Sequence, residues 1–258
     1  MLHIVTIQRR TVLAGAAGLA GAGLCAACGA GSSPRGADTR RSTGGSASAS
    51  AAARPVRSRP DEVVHGARTA RAVALTFHGS GDPALAQRLL REVNAAGAHI
   101  TVMAVGRWLD EEPRMARSFL DGGHELGNHT QNHRDIDAMP AAASYAEIAQ
   151  CAERLRKLTG TPGAWFRPSQ ARHASPRVRA QAAALGYRGC LSWDVDSLDF
   201  TDPGASAITR RVLGEARGGS VVSMHLGHAG TVEALPSILD GLRGRGLRPV
   251  TVSELVGT

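Results

Sequence analysis

The sequence predicts an α/β fold: a (β/α) barrel of seven to eight parallel strands, built as a single domain over residues 61–258. Three observations carry this expectation. Short apolar runs alternate with longer amphipathic stretches, the pattern of a parallel sheet wrapped in helices. The apolar runs are continuous and rich in β-formers, as strands covered on both faces are. The 198 residues after position 60 can bury roughly 70% of their extended-chain surface, enough for one substantial core.

The first 28 residues read as an export segment outside the fold. "QRR" (8–10) is a basic start, "TVLAGAAGLAGAGL" (11–24) an apolar small-residue stretch, and "CAAC" (25–28) a processing site. Arg9 and Arg10 resemble a twin-arginine signal. "LCAAC" resembles a lipobox with Cys28 lipidated, although Cys25 stands where such a motif usually has Leu. Residues 29–60 hold almost no bulky apolar side chain, so they are expected to form a flexible linker. Together these features predict an exported protein, either tethered to the outer face of a membrane by a lipid on Cys28 or released by plain cleavage nearby.

Within 61–258 the first β-α-β unit is "AVALTF" (72–77), the helix "DPALAQRLLREVNAAG" (82–97) and "HITVMAV" (99–105). Leu85, Leu89, Leu90 and Val93 share one face of that helix. The alternation continues with a helix over 107–121, a strand at 124–127, a helix over 144–158, a strand at 164–167, a helix over 175–186 and a strand at 188–193. A helix over 205–217, a strand at 220–225, a helix over 231–244 and a last strand at 248–253 complete it.

Charge narrows the function classes. Eight of the 30 Lys and Arg lie in residues 1–60 with the single acid Asp38, so the basic character belongs to the tail and the domain is nearly neutral. Aromatics are 3% of the chain, too few for stacked bases, and nucleic acid is excluded as a partner. The domain is expected to be a monomer. Cys151 and Cys190 either pair or stay as buried thiols.

In barrels of this class the active groups gather at the carboxyl ends of the strands. Those ends carry His78 and Asp82, then His129 and His133, then Arg167, then Asp194, Asp196 and Asp199, and finally His225. His129 and His133 are four residues apart, so on a helical turn both imidazoles share one face and can share a divalent metal, with Zn²⁺ favoured by nitrogen donors.

Four motifs in order then resemble one family, the polysaccharide deacetylases with a NodB homology domain (carbohydrate esterase family 4). "GHELGNHTQNH" (123–133) is similar to its H-[ST]-x-x-x-H metal motif, "FRPS" (166–169) to R-x-P-x-x-G, "DSLDF" (196–200) to D-x-x-D-W, and "MHLG" (224–227) to L-x-H. The resemblance implies a deformed (β/α) barrel that removes acetyl groups from a glycan, peptidoglycan or another N-acetylglucosamine polymer, by metal-assisted hydrolysis. It implies His129 and His133 as metal ligands, His225 as general acid, Arg167 as the residue orienting the base, and Asp196 and Asp199 as the acids holding His225. Phe200 and Leu226 would form apolar substrate walls.

The first motif departs from the family. T-F-D-D-G supplies the base and the third ligand, whereas Thr76-Phe77-His78-Gly79 puts an imidazole and a glycine there. Two rescues stand open: His78 as third ligand with Asp82 as base, or Asp82 folding back to bind the metal. A third reading has Asp82 merely capping the helix that begins "DPAL". The corresponding functional alternatives are an active deacetylase and a catalytically silent domain that binds glycan or metal.

Overall fold

The computed structural model describes residues 61–257; the expected export segment, Cys28 and the linker lie outside the described residues. In chain order the elements are β1 (Glu62–Val63), β2 (Ala72–Gly79), α1 (Pro83–Ala95), β3 (Thr101–Ala104), α2 (Gly106–Glu111), α3 (Pro113–Asp121), β4 (Glu125–Asn128), α4 (Ala141–Thr159), β5 (Trp165–Phe166) and α5 (Pro176–Ala184). They continue with β6 (Gly189–Leu191), β7 (Val195–Asp196), a 3₁₀ turn (Asp199–Thr201), α6 (Ala205–Glu215), β8 (Val221–His225), α7 (Ala229–Gly244), β9 (Arg248–Pro249) and α8 (Val252–Val256).

The strands form one curled sheet in the order β1-β6-β5-β4-β3-β2-β8-β7, with β9 added to β2. Every strand pair is parallel, as the continuous apolar runs predict. Three local expectations need correction. The helix over 107–121 breaks into α2 and α3, because Pro113 cannot donate to the preceding turn and holds Glu112 out of the helical region. The strand over 188–193 shortens to β6, and β7 follows it as a separate strand that pairs with β8. The segment 248–253 gives two strand residues and then α8, whose start is a Thr251/Glu254 capping box.

Strand alternation sorts the core into two sides. Val73, Leu75 and Phe77 of β2 pack outward with Leu89, Val93 and Leu235 of the helices. Ala74 packs inward with Met103, Trp165, Leu191 and Val221. Each such buried side chain contributes about 1.5–3 kcal/mol. Thr76 and His78 continue the inward file, and so stand inside the curl at its carboxyl end. Cys151 and Cys190 are both free and buried. Burial pushes each thiol up to about 12, leaving them neutral packing groups.

Position 79 belongs to the outward file, and there the sheet leaves no room. A Cβ on Gly79 would lie 2.8 Å from both Ala104 Cα and Val102 Cγ1 on the neighbouring strand. Gly79→Ala is therefore expected to destabilise the domain by about 1–3 kcal/mol, an overpacking cost. A urea unfolding midpoint equal to that of the wild type would remove the steric account of this glycine.

Candidate metal and active site

The loop after β4 brings His129 and His133 together, though not on the helical turn that their spacing suggested. Thr130 and His133 have φ of 68° and 54°, so two left-handed residues fold the chain back on itself. A β-branched residue in that region costs on the order of 1–3 kcal/mol and persists only where surrounding bonds over-determine it. Here Thr130 N–H donates to Asn128 Oδ1 (2.8 Å), Thr130 C=O accepts from Gly106 N–H (2.9 Å), and Thr130 Oγ1 accepts from His133 N–H (3.1 Å). Glu147 of α4 grips the same loop from below, accepting from Asn132 N–H and Asn132 Nδ2 at 2.7 Å each. The ring centroids of His129 and His133 end 4.8 Å apart.

His78 completes a cluster of three imidazoles. One nitrogen from each of His78, His129 and His133 lies within 4.8 Å of the other two. The protonation of His129 follows from its partners. Its Nδ1 lies 3.0 Å from the Arg167 carbonyl, which can only accept, so Nδ1 carries the proton and Nε2 presents a lone pair. That lone pair points at His78 Nδ1, 2.8 Å away, while His78 Nε2 lies 3.1 Å from Ser223 Oγ. Burial, then the neighbouring imidazoles, hold His78 and His129 well below the ordinary imidazole range and lower His133 in the same direction. All three rings are thus neutral at neutral pH, as metal ligands must be.

This donor set fits a divalent cation. Zn–N bonds of about 2.0–2.1 Å at tetrahedral angles set ligand nitrogens about 3.3 Å apart, between the closest and widest separations here. The two buried rings have their remaining nitrogens tied to Arg167 C=O and Ser223 Oγ, the outer partners that orient a ligating histidine.

His225, stacked on His78 with centroids 4.3 Å apart, stands on the other side. Its Nδ1 and backbone N–H both reach the Asp199 carboxylate at 2.7 Å. Thr231 Oγ1 donates to the same carboxylate at 2.6 Å. Burial would raise the Asp199 carboxyl, but the His225 and Thr231 bonds outweigh it and hold it below the usual carboxylate value. With Nδ1 so engaged, His225 Nε2 is left toward the cavity that the ring lines. That cavity, about 440 Å³, is bounded by His78, His133, Trp193, Asp196, Phe200 and Ser223 among others. Phe200 is 49% exposed and meets His225 edge-on, an open apolar wall.

Arg167 is wholly buried beneath the site. Its Nε donates to Leu191 C=O, and its Nη2 to Thr76 Oγ1 and Ser192 C=O. Its Nη1 has no partner among the described residues. Burial lowers this guanidinium to about 9, and the charge of Asp196 works against that fall.

Other expected residues fall elsewhere. Asp82 is exposed, and its Oδ1 accepts the Ala84 N–H at 2.8 Å as the N-cap of α1. It takes no place in the cavity wall, which corrects its assignment as base or ligand. Leu226 follows His225 and so faces outward into the helix-covered core, fully buried, which corrects its assignment as a substrate wall. Asp199 holds His225, whereas Asp196 accepts the Leu198 N–H at 3.0 Å and faces the cavity, which corrects the expectation that both acids hold the histidine. Two residues were passed over in the sequence. Glu147 shows there only as an acid on the buried face of a helix. Ser223 is the residue that L-x-H, set on His225, puts at the leucine position.

The comparisons with known proteins agree with this fold. The polysaccharide deacetylase family model matches residues 65–190. A peptidoglycan-N-acetylglucosamine deacetylase of Bacillus cereus is 31% identical over 71% of this chain and 87% of its own length. Some relatives are longer: the chain spans 40% of the peptidoglycan-N-acetylglucosamine deacetylase PgdA of Listeria monocytogenes. Among solved structures, the Bc1960 peptidoglycan N-acetylglucosamine deacetylase matches with a TM-score of 0.73 at 26% identity, over 77% of this chain and 94% of that one. A CE4 family pseudoenzyme from Bacillus anthracis matches with a TM-score of 0.72 at 23% identity, over 76% and 69% respectively, a likeness that bears on the fold alone. The chain belongs to the polysaccharide deacetylase family.

Proposed function

We propose that this protein is an exported, metal-dependent deacetylase that hydrolyses N-acetyl groups of a cell-envelope glycan, with peptidoglycan as the substrate class. The observation that carries the proposal is the arrangement of three neutral imidazoles on one side of the cavity and the His225–Asp199 pair on the other. The names of the relatives support the substrate class. His78, His129 and His133 would hold the metal, and Zn²⁺ suits three nitrogen donors with an open fourth position. When bound, such an ion polarises an acetyl carbonyl and makes hydroxide available near neutral pH.

The chain's own residues supply the rest. Ser223 and the Arg167 carbonyl fix the orientation of His78 and His129. Asp199 holds His225 by Nδ1, so Nε2–H can be given to the departing amine nitrogen. Phe200 offers the sugar an apolar face. The missing carboxylate pair of the first motif favours a second reading, a silent domain that binds glycan or metal without turnover.

Zn²⁺-loaded protein is expected to release acetate from N-acetylglucosamine oligomers or peptidoglycan fragments, with His225→Ala lowering the rate by about 10²–10⁴, the usual size of an acid–base contribution. Acetate measured by an enzyme-coupled assay at no more than the His225→Ala level, with each of several divalent metals, would leave only the silent reading. Metal titration calorimetry separates the ligand from its support. Ser223→Ala is expected to weaken Zn²⁺ binding about 10–100-fold, the effect of losing an outer-shell partner, and His78→Ala to weaken it further. Equal affinity in His78→Ala and wild type would remove His78 from the ligand set.

Export and anchoring rest on the N-terminal sequence. Lipidation at Cys28 would keep the domain at the outer membrane face, within reach of peptidoglycan. Cys28→Ser is then expected to shift the protein from the membrane fraction to the medium, read by immunoblot, whereas unchanged membrane retention would remove the anchor.

A further inference from the structure

Hydrolysis of an acetamide needs a group that takes a proton from the attacking water, and the residues of the first motif cannot be that group here. Gly79 has no side chain. His78 has both ring nitrogens engaged, Nδ1 toward His129 and Nε2 toward Ser223. His225 is committed to the acid role through its bond to Asp199. Asp82 caps a helix at the surface.

One carboxylate lines the cavity, and it comes from another strand. Asp196 of β7 pairs in register with Ser223 of β8, which pairs with Thr76 of β2. These three residues form one inward row beneath the row of His78 and His225. Ser223 hydrogen-bonds His78, so Asp196 stands beside the residue that supports the ligand cluster. Its Oδ1 is fixed by the Leu198 N–H. Its Oδ2 has no hydrogen bond among the described residues and belongs to the half-buried side chain that faces the cavity.

A buried cation completes the arrangement. Arg167 is 0% exposed, and among the described residues its Nη1 is unpartnered and no carboxylate pairs with it directly. Asp196 is the acid whose charge acts on it. The family motif gives this arginine the task of orienting the base, and here the carboxylate within its field is Asp196.

We propose that Asp196 is the general base of this site, the role having moved from the end of β2 to β7, with Arg167 as its buried countercharge. This rests on the deacetylase reading above. Water oxygen bonds to the acetyl carbon as its proton passes to Asp196 Oδ2; the C–N bond then breaks as His225 Nε2–H protonates the nitrogen. The products are acetate and the free amine; the proton on Asp196 leaves to solvent and His225 Nε2 takes one back from solvent, which restores both groups for the next turnover.

The test uses the full chain loaded with Zn²⁺ and an N-acetylglucosamine oligomer as substrate. Asp196→Asn is expected to lower kcat about 10²–10⁴-fold while KM and the Zn²⁺ dissociation constant by calorimetry stay within about threefold of wild type. In Asp196→Ala, added sodium formate is expected to restore part of the rate, because a small carboxylate can occupy the vacated space. A kcat for Asp196→Asn within about tenfold of wild type, or a loss of Zn²⁺ affinity in proportion to the loss of rate, would overturn the assignment while leaving the deacetylase reading intact. A wild-type protein that releases no acetate would overturn both.

Discussion

His78 Nδ1 and His129 Nε2 face each other 2.8 Å apart, both rings buried and His78 lining the cavity, and the chemistry of the site depends on what lies between them. His129 Nε2 is bare because Arg167 C=O can only accept from the other side of the ring. If His78 also donates outward, to Ser223, two lone pairs point at each other, and only a proton or a metal cation relieves that. Burial disfavours the proton, holding both rings neutral. In the other tautomer His78 Nδ1–H donates to the His129 lone pair and Ser223 Oγ–H donates to His78 Nε2, and the contact is an ordinary hydrogen bond. In both cases the Arg167 carbonyl aims the His129 lone pair into the cluster.

Strand parity fixes which residues can meet there. In β2 the even positions 74, 76 and 78 face inward and the odd positions face the helices. A second carboxylate at 79, as in T-F-D-D-G, would start from a Cα whose Cβ is blocked at 2.8 Å by β3. This backbone thus accepts one inward ligand from the first motif, and the imidazole at 78 is long enough to reach His129 from it. The same alternation turns Leu226 away from the cavity while His225 enters it. The neighbouring loops are also locked together: a Cβ on Gly81, at φ 112°, would lie 2.4 Å from Gly227 Cα. Two backbones that close can share no side chain, which leaves Asp82 outside as a cap.

Much of this was legible in the sequence because it follows from period and spacing. Continuous apolar runs gave parallel strands, and the strand-end rule gathered His78, His129, His133, Arg167, Asp199 and His225 at one rim. What was not legible depends on contacts distant along the chain. Ser223 and His78 are 145 residues apart, and nothing local to "VVSMH" marks its serine as a partner for an imidazole. The metal loop looked helical from its four-residue spacing, since two left-handed residues at Thr130 and His133 are chosen by Asn128, Gly106 and Glu147 rather than by local preference. α8 was missed although its T-x-x-E capping box is local, because the preceding β-branched run outweighed it.

The departures from the family pattern bear on whether this site is adapted or merely decayed, since decay and adaptation leave different neighbours. An imidazole placed at 78 brings a second ring nitrogen that needs a partner in a buried place. A leucine at 223, as L-x-H has it, would leave that nitrogen unsatisfied at a cost of about 1–3 kcal/mol. The chain has serine there, with Oγ at 3.1 Å. Removing the carboxylate near Arg167 would likewise strand a buried charge, a loss of about 3–5 kcal/mol when one member of a buried pair goes. The guanidinium instead keeps two backbone carbonyls, the Thr76 hydroxyl and the field of Asp196. Each change at the first motif therefore meets a matching group elsewhere in the barrel. Adaptation predicts such matched neighbours, whereas decay would leave the second nitrogen of His78 and the charge of Arg167 without partners.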